Sequence, residues 1–196
     1  MQRIDIPYNI SYRNIKYPRL EFRTGMLLLI LPRGYDPESI ITKHQEWINK
    51  KSKFIEECLN EAKSRKIVER LDNEFRDLVS QIVGRITKSL NVEINHIFYR
   101  TMKTKWASCS VKKNLTVNKL MNYLPEKHLE YIIYHEVVHL FEKRHNDRFW
   151  EIVAGEFPTY QEIEKELFVY WFRLVGYDPG DSANRCDFRK SHGSCL

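Results

Sequence analysis

His135-Glu136-Val137-Val138-His139 is an H-E-x-x-H pentapeptide, and its spacing suits metal chemistry. On a helix, residues four apart stand ~6 Å apart along the axis at nearly the same angle, so two imidazoles can reach one ion from one face. Glu136 is rotated about 100° from His135. It stands off the ligand line, where its carboxylate can take a proton from a metal-activated water. A further histidine, His145, follows His139 after five intervening residues. Catalytic zinc sites typically use three protein ligands and leave a position for solvent. His135, His139 and His145 are therefore the expected ligands and Glu136 the expected general base. Three imidazoles suit Zn2+, and also Co, Ni or Fe.

The spacing to His145 is that of the metzincins, in which Gly at the middle of the intervening residues lets the helix turn. Here that position is Glu142, and no Met-turn is evident. The chain must turn by other means, at Arg144 to Asn146. Carboxylates further along, Glu156, Glu162 and Glu164, are rivals for the third ligand, whereas Asp147 and Glu166 read as helix-surface charges. An oxyanion donor is also required, with Tyr160, Tyr170, His128 and Arg144 as candidates.

These side chains need elements to hold them. Pro125 opens a helix carrying Leu129, Ile132, Ile133, Val137 and Leu140, which should end near residue 144. Asn146 is a good N-cap for a short helix closed by Gly155 and Pro158. Thr159-Tyr160-Gln161-Glu162 reads as a capping box that starts another helix, stopped by Gly176. Upstream, 38–65 and 67–90 have helical periodicity. Residues 94–120 suggest two strands, at Ile94 to Tyr99 and at Leu115 to Asn118. A Lys112-Lys113-Asn114 turn precedes the second, and the two are expected to pair antiparallel. Arg3 to Ile6 and Leu20 to Arg23 alternate, Thr24-Gly25 reads as a turn, and Met26 to Leu31 is apolar throughout and should be buried on both faces. The expected class is α+β: a small antiparallel sheet packed on helices, with H-E-x-x-H on one of them.

The chain has 196 residues, 42% hydrophobic and 30% charged. That excludes general disorder and collagen-like sequence. The longest apolar run, Met26 to Leu31, is far shorter than the ~20 residues a membrane span needs. No signal-peptide pattern opens the chain, so a cytoplasmic location with reduced Cys58, Cys109, Cys186 and Cys195 is expected. Residues 1–176 read as one domain: a β part over 1–35, a helical part over 36–90 and the H-E-x-x-H core over 91–176. Residues 177–196 read as a tail. The net charge is +6. From Ile94 to Pro125 there is no Asp or Glu, and Arg100, Lys103, Lys105, Lys112, Lys113 and Lys119 stand there. An anionic substrate or a nucleic acid would suit this stretch, and ordinary surface lysines would also account for it.

The local pattern is similar to the YgjP-like metallopeptidase-domain family, which is grouped with the SprT-like minimal zincins. The family's H-E-x-x-H-L and H-[NS]-x-x-F-[WY] match His135 to Leu140 and His145 to Trp150. Trp106-Ala107-Ser108-Cys109-Ser110 resembles its W-G-S-C-S, and Leu115 to Asn118 the strand that follows. Ala107 in place of Gly, and Val137-Val138 in place of Leu-Ala, are departures that remove no ligand. The resemblance implies a zinc-dependent hydrolase, most readily a peptidase acting on protein or peptide. A small-amide hydrolase and a nucleic-acid-associated module with a structural metal are the alternatives. The strand ahead of the H-E-x-x-H helix could accept an extended peptide by backbone pairing. Trp106 and Ser108 would then touch substrate, although Trp106 could equally be core. Cys109 reads as a small buried hydrophobe.

Overall fold

The apolar run ending at Pro32 forms the middle of a sheet. The structure is a computed structural model and describes residues 8–23 and 26–176. Arg3 to Ile6, the Thr24-Gly25 turn and the 177–196 tail lie outside those residues. Strands β1 (Tyr8–Arg13), β2 (Arg19–Arg23) and β3 (Met26–Pro32) form a sheet of order β1-β3-β2. β3 is parallel to β1 and antiparallel to β2. β3 is thus paired along both edges, and its second face is only partly covered, with Leu28 half-buried. Leu27, Leu29 and Leu31 are fully buried on one face, and Ile30 is buried on the other.

The helical stretch expected over 38–65 is two helices, α1 (Pro37–Lys43) and α2 (Gln45–Ser64), which meet at His44. Asp36 caps α1 by accepting hydrogen bonds from the N–H groups of Glu38 and Ser39. The helix expected from 67 begins later, as α3 (Asp72–Leu90). The residues before it make other bonds. The Val68 N–H donates to the Tyr123 carbonyl at 3.0 Å. The Arg70 guanidinium donates to the carbonyls of Asn122 and Leu124, both at 2.7 Å.

A second sheet contains β4 (His96–Arg100), β5 (Ala107–Cys109) and β6 (Asn114–Asn118), in the order β4-β6-β5. Here an expectation fails. β4 and β6 are parallel, and the antiparallel partner of β6 is β5. The expected turn at 112–114 exists, but it joins β5 to β6. Lys113 takes a left-handed φ of 55°, and its N–H donates to the Ser110 carbonyl at 2.8 Å. Asn118, fully buried at the end of β6, accepts from the Leu120 and Met102 N–H groups and donates to the Met102 and Lys105 carbonyls. This fixes the loop that leads into β5.

A 3-10 turn (Lys119–Tyr123) leads to α4 (Glu126–Val138), followed by α5 (Asp147–Glu156) and α6 (Tyr160–Val175). α4 packs against α3, α5, α6 and β5. Every residue from His128 to Val138 except Glu130 is buried, so this helix is apolar nearly all round, as a central helix must be. It ends at Val138, earlier than expected. Both the Phe141 and Glu142 N–H groups turn back to the Val138 carbonyl. The Thr159 capping box does not form, since the Thr159 side chain makes no cap hydrogen bond. Among the described residues, no helix is long and apolar enough to cross a membrane.

Candidate metal centre

α4 delivers His135 and Glu136 from its last turn and His139 from its C-cap. The chain then reverses before α5. The turn falls where the sequence requires it, with the Asn146 N–H donating to the Arg144 carbonyl at 2.8 Å. Asn146 then caps α5, its side chain accepting from the Phe149 N–H at 3.0 Å. A turn and a cap thus return His145 to the end of α4 without a glycine.

The three rings converge through their Nε2 atoms. His135 Nε2 lies 2.9 Å from His145 Nε2, which lies 3.0 Å from His139 Nε2. The ligand atoms all fall within 4.8 Å of one another. An ion bound tetrahedrally at ~2.0–2.1 Å would set its nitrogens ~3.3 Å apart, so the three atoms stand close enough to hold one, two of the pairs being slightly tighter than that. Protonation fits as well. His139 Nδ1 lies 3.0 Å from the Glu142 carbonyl oxygen. A carbonyl only accepts, so Nδ1 carries the proton and Nε2 keeps a lone pair for a metal. Burial, reinforced by the neighbouring His145 and His139, holds His135 well below the usual histidine range and therefore neutral.

Aromatic rings fix these imidazoles. Phe149, fully buried on α5, has its ring centroid 4.8 Å from His135, 4.8 Å from His139 and 4.6 Å from His145. Trp150 lies 5.5 Å from the His145 ring and stacks on Tyr160 at 4.8 Å. Both sit one turn into α5, so its cap also places these supports.

Glu136 is held from the opposite side. Its Oε2 accepts the Cys109 backbone N–H at 2.8 Å. Burial raises its pKa, against the smaller opposing pulls of His139, that N–H and Lys105. The Cys109 thiol is pushed up to about 11 by burial and then by Glu136. Cys109 therefore contributes a main-chain group here, which side-chain identity could not reveal.

A cleft of about 510 Å³ opens over Glu136 and His139, with Ser108 and Cys109 of β5 in its wall. Ser108 is thus where substrate could touch it. Trp106 is not: it is fully buried, packed edge-on against Trp171 at 4.9 Å. A ring this large needs the apolar interior more than the cleft does. The strand directly ahead of α4, β6, is paired on both sides, so the free edge belongs to β5. The Trp106 carbonyl accepts from the Asn118 N–H, and the Ser110 N–H donates to the Asn114 carbonyl. By the alternation of an antiparallel ladder, the main-chain groups of Ala107 and Cys109 point away from β6, those of Ala107 into the buried interior and the Cys109 N–H to Glu136.

The rival ligands lie elsewhere. Glu164 accepts the Tyr131 hydroxyl at 3.0 Å, and Glu156 lines a separate small pocket with Tyr134 and Phe157. Among the described residues, the three histidines are the one cluster of potential ligands. Of the oxyanion candidates, His128 is buried against Glu166 at 2.9 Å and Tyr160 stacks on Trp150, and neither these nor Tyr170 and Arg144 line the cleft.

The family model described as YgjP-like, metallopeptidase domain, matches residues 55–169. Comparison with curated proteins finds no match. Among solved structures, the chain is similar to the metallopeptidase zymogen of Pyrococcus abyssi abylysin, at 26% identity over 45% of this chain and 90% of that one, with a TM-score of 0.42. It is likewise similar to the metallopeptidase zymogen of Methanocaldococcus jannaschii jannalysin, at 34% identity over 45% of this chain and 92% of that one, with a TM-score of 0.42.

Proposed function

The chain belongs to the YgjP-like metallopeptidase-domain family, and from that premise we propose that it hydrolyses peptide bonds using a divalent metal, zinc first among them, held by His135, His139 and His145. The observation that carries this reading is the convergence of three Nε2 atoms, one with its tautomer fixed by the Glu142 carbonyl. When bound, the metal supplies a Lewis acid for the scissile carbonyl and lowers the pKa of water.

The protein's own groups do the rest. Glu136 is the general base: its carboxylate accepts the proton of the attacking water and passes it to the departing amine nitrogen. The raised pKa of Glu136 suits both halves of that transfer. The Cys109 N–H orients the carboxylate on one oxygen and leaves the other for the water. An extended substrate pairs with the β5 edge beside Ser108 through the Cys109 carbonyl, the Cys109 N–H being held by Glu136, which brings its backbone over Glu136. The rings of Phe149 and Trp150 keep the imidazoles from rotating away.

A small-amide hydrolase would use the same groups without the β5 edge. A binding module with a structural metal would have no need of Glu136, since such sites are usually closed by four protein ligands. The test is cleavage of casein or a peptide library, with metal analysis. Wild type should cleave and Glu136→Gln should not, while retaining metal. His145→Ala should lose stoichiometric metal and Glu162→Ala should keep it. Full metal content in His145→Ala would refute the ligand set. Cleavage of small amides alone would move the protein to the second class.

A further inference from the structure

Three lysines from three separate segments stand on the wall of the cleft. Lys105 precedes β5, Lys113 occupies the left-handed position of the β5–β6 turn, and Lys143 lies between His139 and His145. All three are exposed. Among the described residues, none forms a salt bridge. Among the described residues, Glu136 is the one carboxylate in the cleft wall. Three lysines against the one carboxylate, on which Lys105 already acts, leave the wall of the substrate's path with an excess of positive charge.

We propose that the cleft selects peptides carrying Asp or Glu beside the bond to be cleaved, with Lys105, Lys113 and Lys143 as the residues that set this preference. The proposal rests on the peptidase reading above and names its substrate class. Backbone pairing with β5 is blind to sequence, so discrimination must come from side chains along the cleft. A lysine ammonium is a point charge on a flexible stem, suited to carboxylates at varied positions. The Ser108 and Ser110 hydroxyls, also in the wall, add donors for them. A single-stranded nucleic acid fits less well. It would require aromatic faces for its bases, and among the described residues no Phe, Tyr or Trp lines the cleft.

Binding tests this apart from turnover. Zinc-loaded Glu136→Gln protein is titrated by fluorescence anisotropy with two labelled decapeptides that differ only in Glu or Gln flanking the central bond. At about 20 mM salt the Glu peptide should bind about tenfold more tightly, and the gap should close as salt rises to about 0.5 M. Adding Lys105→Glu, Lys113→Glu and Lys143→Glu together should abolish or reverse it. Each alone should remove part, which guards against a misfolded triple variant. Lys88→Glu, on the exposed side of α3, should leave it intact. Equal affinity for the two peptides would overturn the proposal, as would a single-stranded oligonucleotide of equal length displacing the Glu peptide more strongly than the peptide displaces itself. Wild-type kcat/KM on the same pair separates the two claims. Cleavage without preference removes the selectivity. Preferential binding without cleavage sustains the selectivity and removes the peptidase reading.

Discussion

At the scale of the residue, the centre depends on main-chain groups as much as on side chains. The Glu142 carbonyl fixes the His139 tautomer, and the Cys109 N–H fixes Glu136. The second contact has a chemical consequence. With its thiol pushed up to about 11 by burial and by Glu136, Cys109 is protonated at neutral pH, and only thiolate alkylates. Its reaction with iodoacetamide at pH 7.5 should therefore be slow and should rise about tenfold per pH unit toward that value. Glu136→Gln removes the neighbouring negative charge, so the same cysteine should react faster. Peptide mapping by mass spectrometry reads both rates, and a Cys109 that reacts like an exposed thiol at pH 7.5 would contradict the arrangement. The same distinction explains what was legible in the sequence. His135, Glu136, His139 and His145 declare themselves by type and spacing. The Cys109 N–H and the Glu142 carbonyl carry no residue signature, since the first depends on β5 lying beside α4 and the second on the turn that follows α4.

At the scale of the element, the helices were legible and the strand pairing was not. Helical periodicity is local, so α3, α4, α5 and α6 appear near their expected places. Their ends shift where outside partners compete, as Val68 and Arg70 do with the 119–124 turn. Pairing of β4 with β6 spans an inserted strand. The 112–114 turn is visible in the sequence, yet the strand before it, β5, is only three residues long and has no pattern of its own. Between α4 and α6 lies a group with a pH consequence. His128 is buried against Glu166 and Tyr170. Burial lowers its pKa, which outweighs the opposing pull of Glu166, while Lys127 and Arg65 add to the lowering. In the unfolded chain the ring titrates near ~6.5. Above that pH both states hold it neutral. As pH falls through it, the unfolded chain takes up a proton that the folded one resists, so stability declines until the folded pKa is passed. Urea midpoints of the metal-free protein should fall between pH 7.5 and 5.5, and His128→Gln should fall less. His135, also held down, is common to both proteins and cancels in the comparison. Equal declines would show that His128 does not contribute.

At the scale of the whole molecule, the centre sits where the core meets the surface, so packing and metal should stabilise separably. Trp106 of the second sheet and Trp171 of α6 close the interior edge-on, away from the three imidazoles. The basic stretch noted in the sequence is divided by the fold: Lys105 and Lys113 reach the cleft, where Lys143 from beyond α4 joins them. A ligand that binds only the folded state stabilises it by ~2.7 kcal/mol at a hundred times its Kd. For a chain of this size each kcal/mol moves Tm by roughly 2–4 °C. Saturating zinc should thus raise Tm of the metal-free protein by roughly 5–10 °C. Trp171→Ala empties a large buried site and should cost about 3–5 kcal/mol, yet keep most of the zinc-induced rise, because it touches none of the ligands. His145→Ala should do the reverse: a metal-free Tm near that of wild type, since His145 is only half-buried, and a rise mostly lost. Differential scanning calorimetry of the three proteins with and without zinc decides it. An undiminished rise in His145→Ala would place the ion elsewhere, and loss of the rise in Trp171→Ala would mean that the core and the centre unfold as one unit.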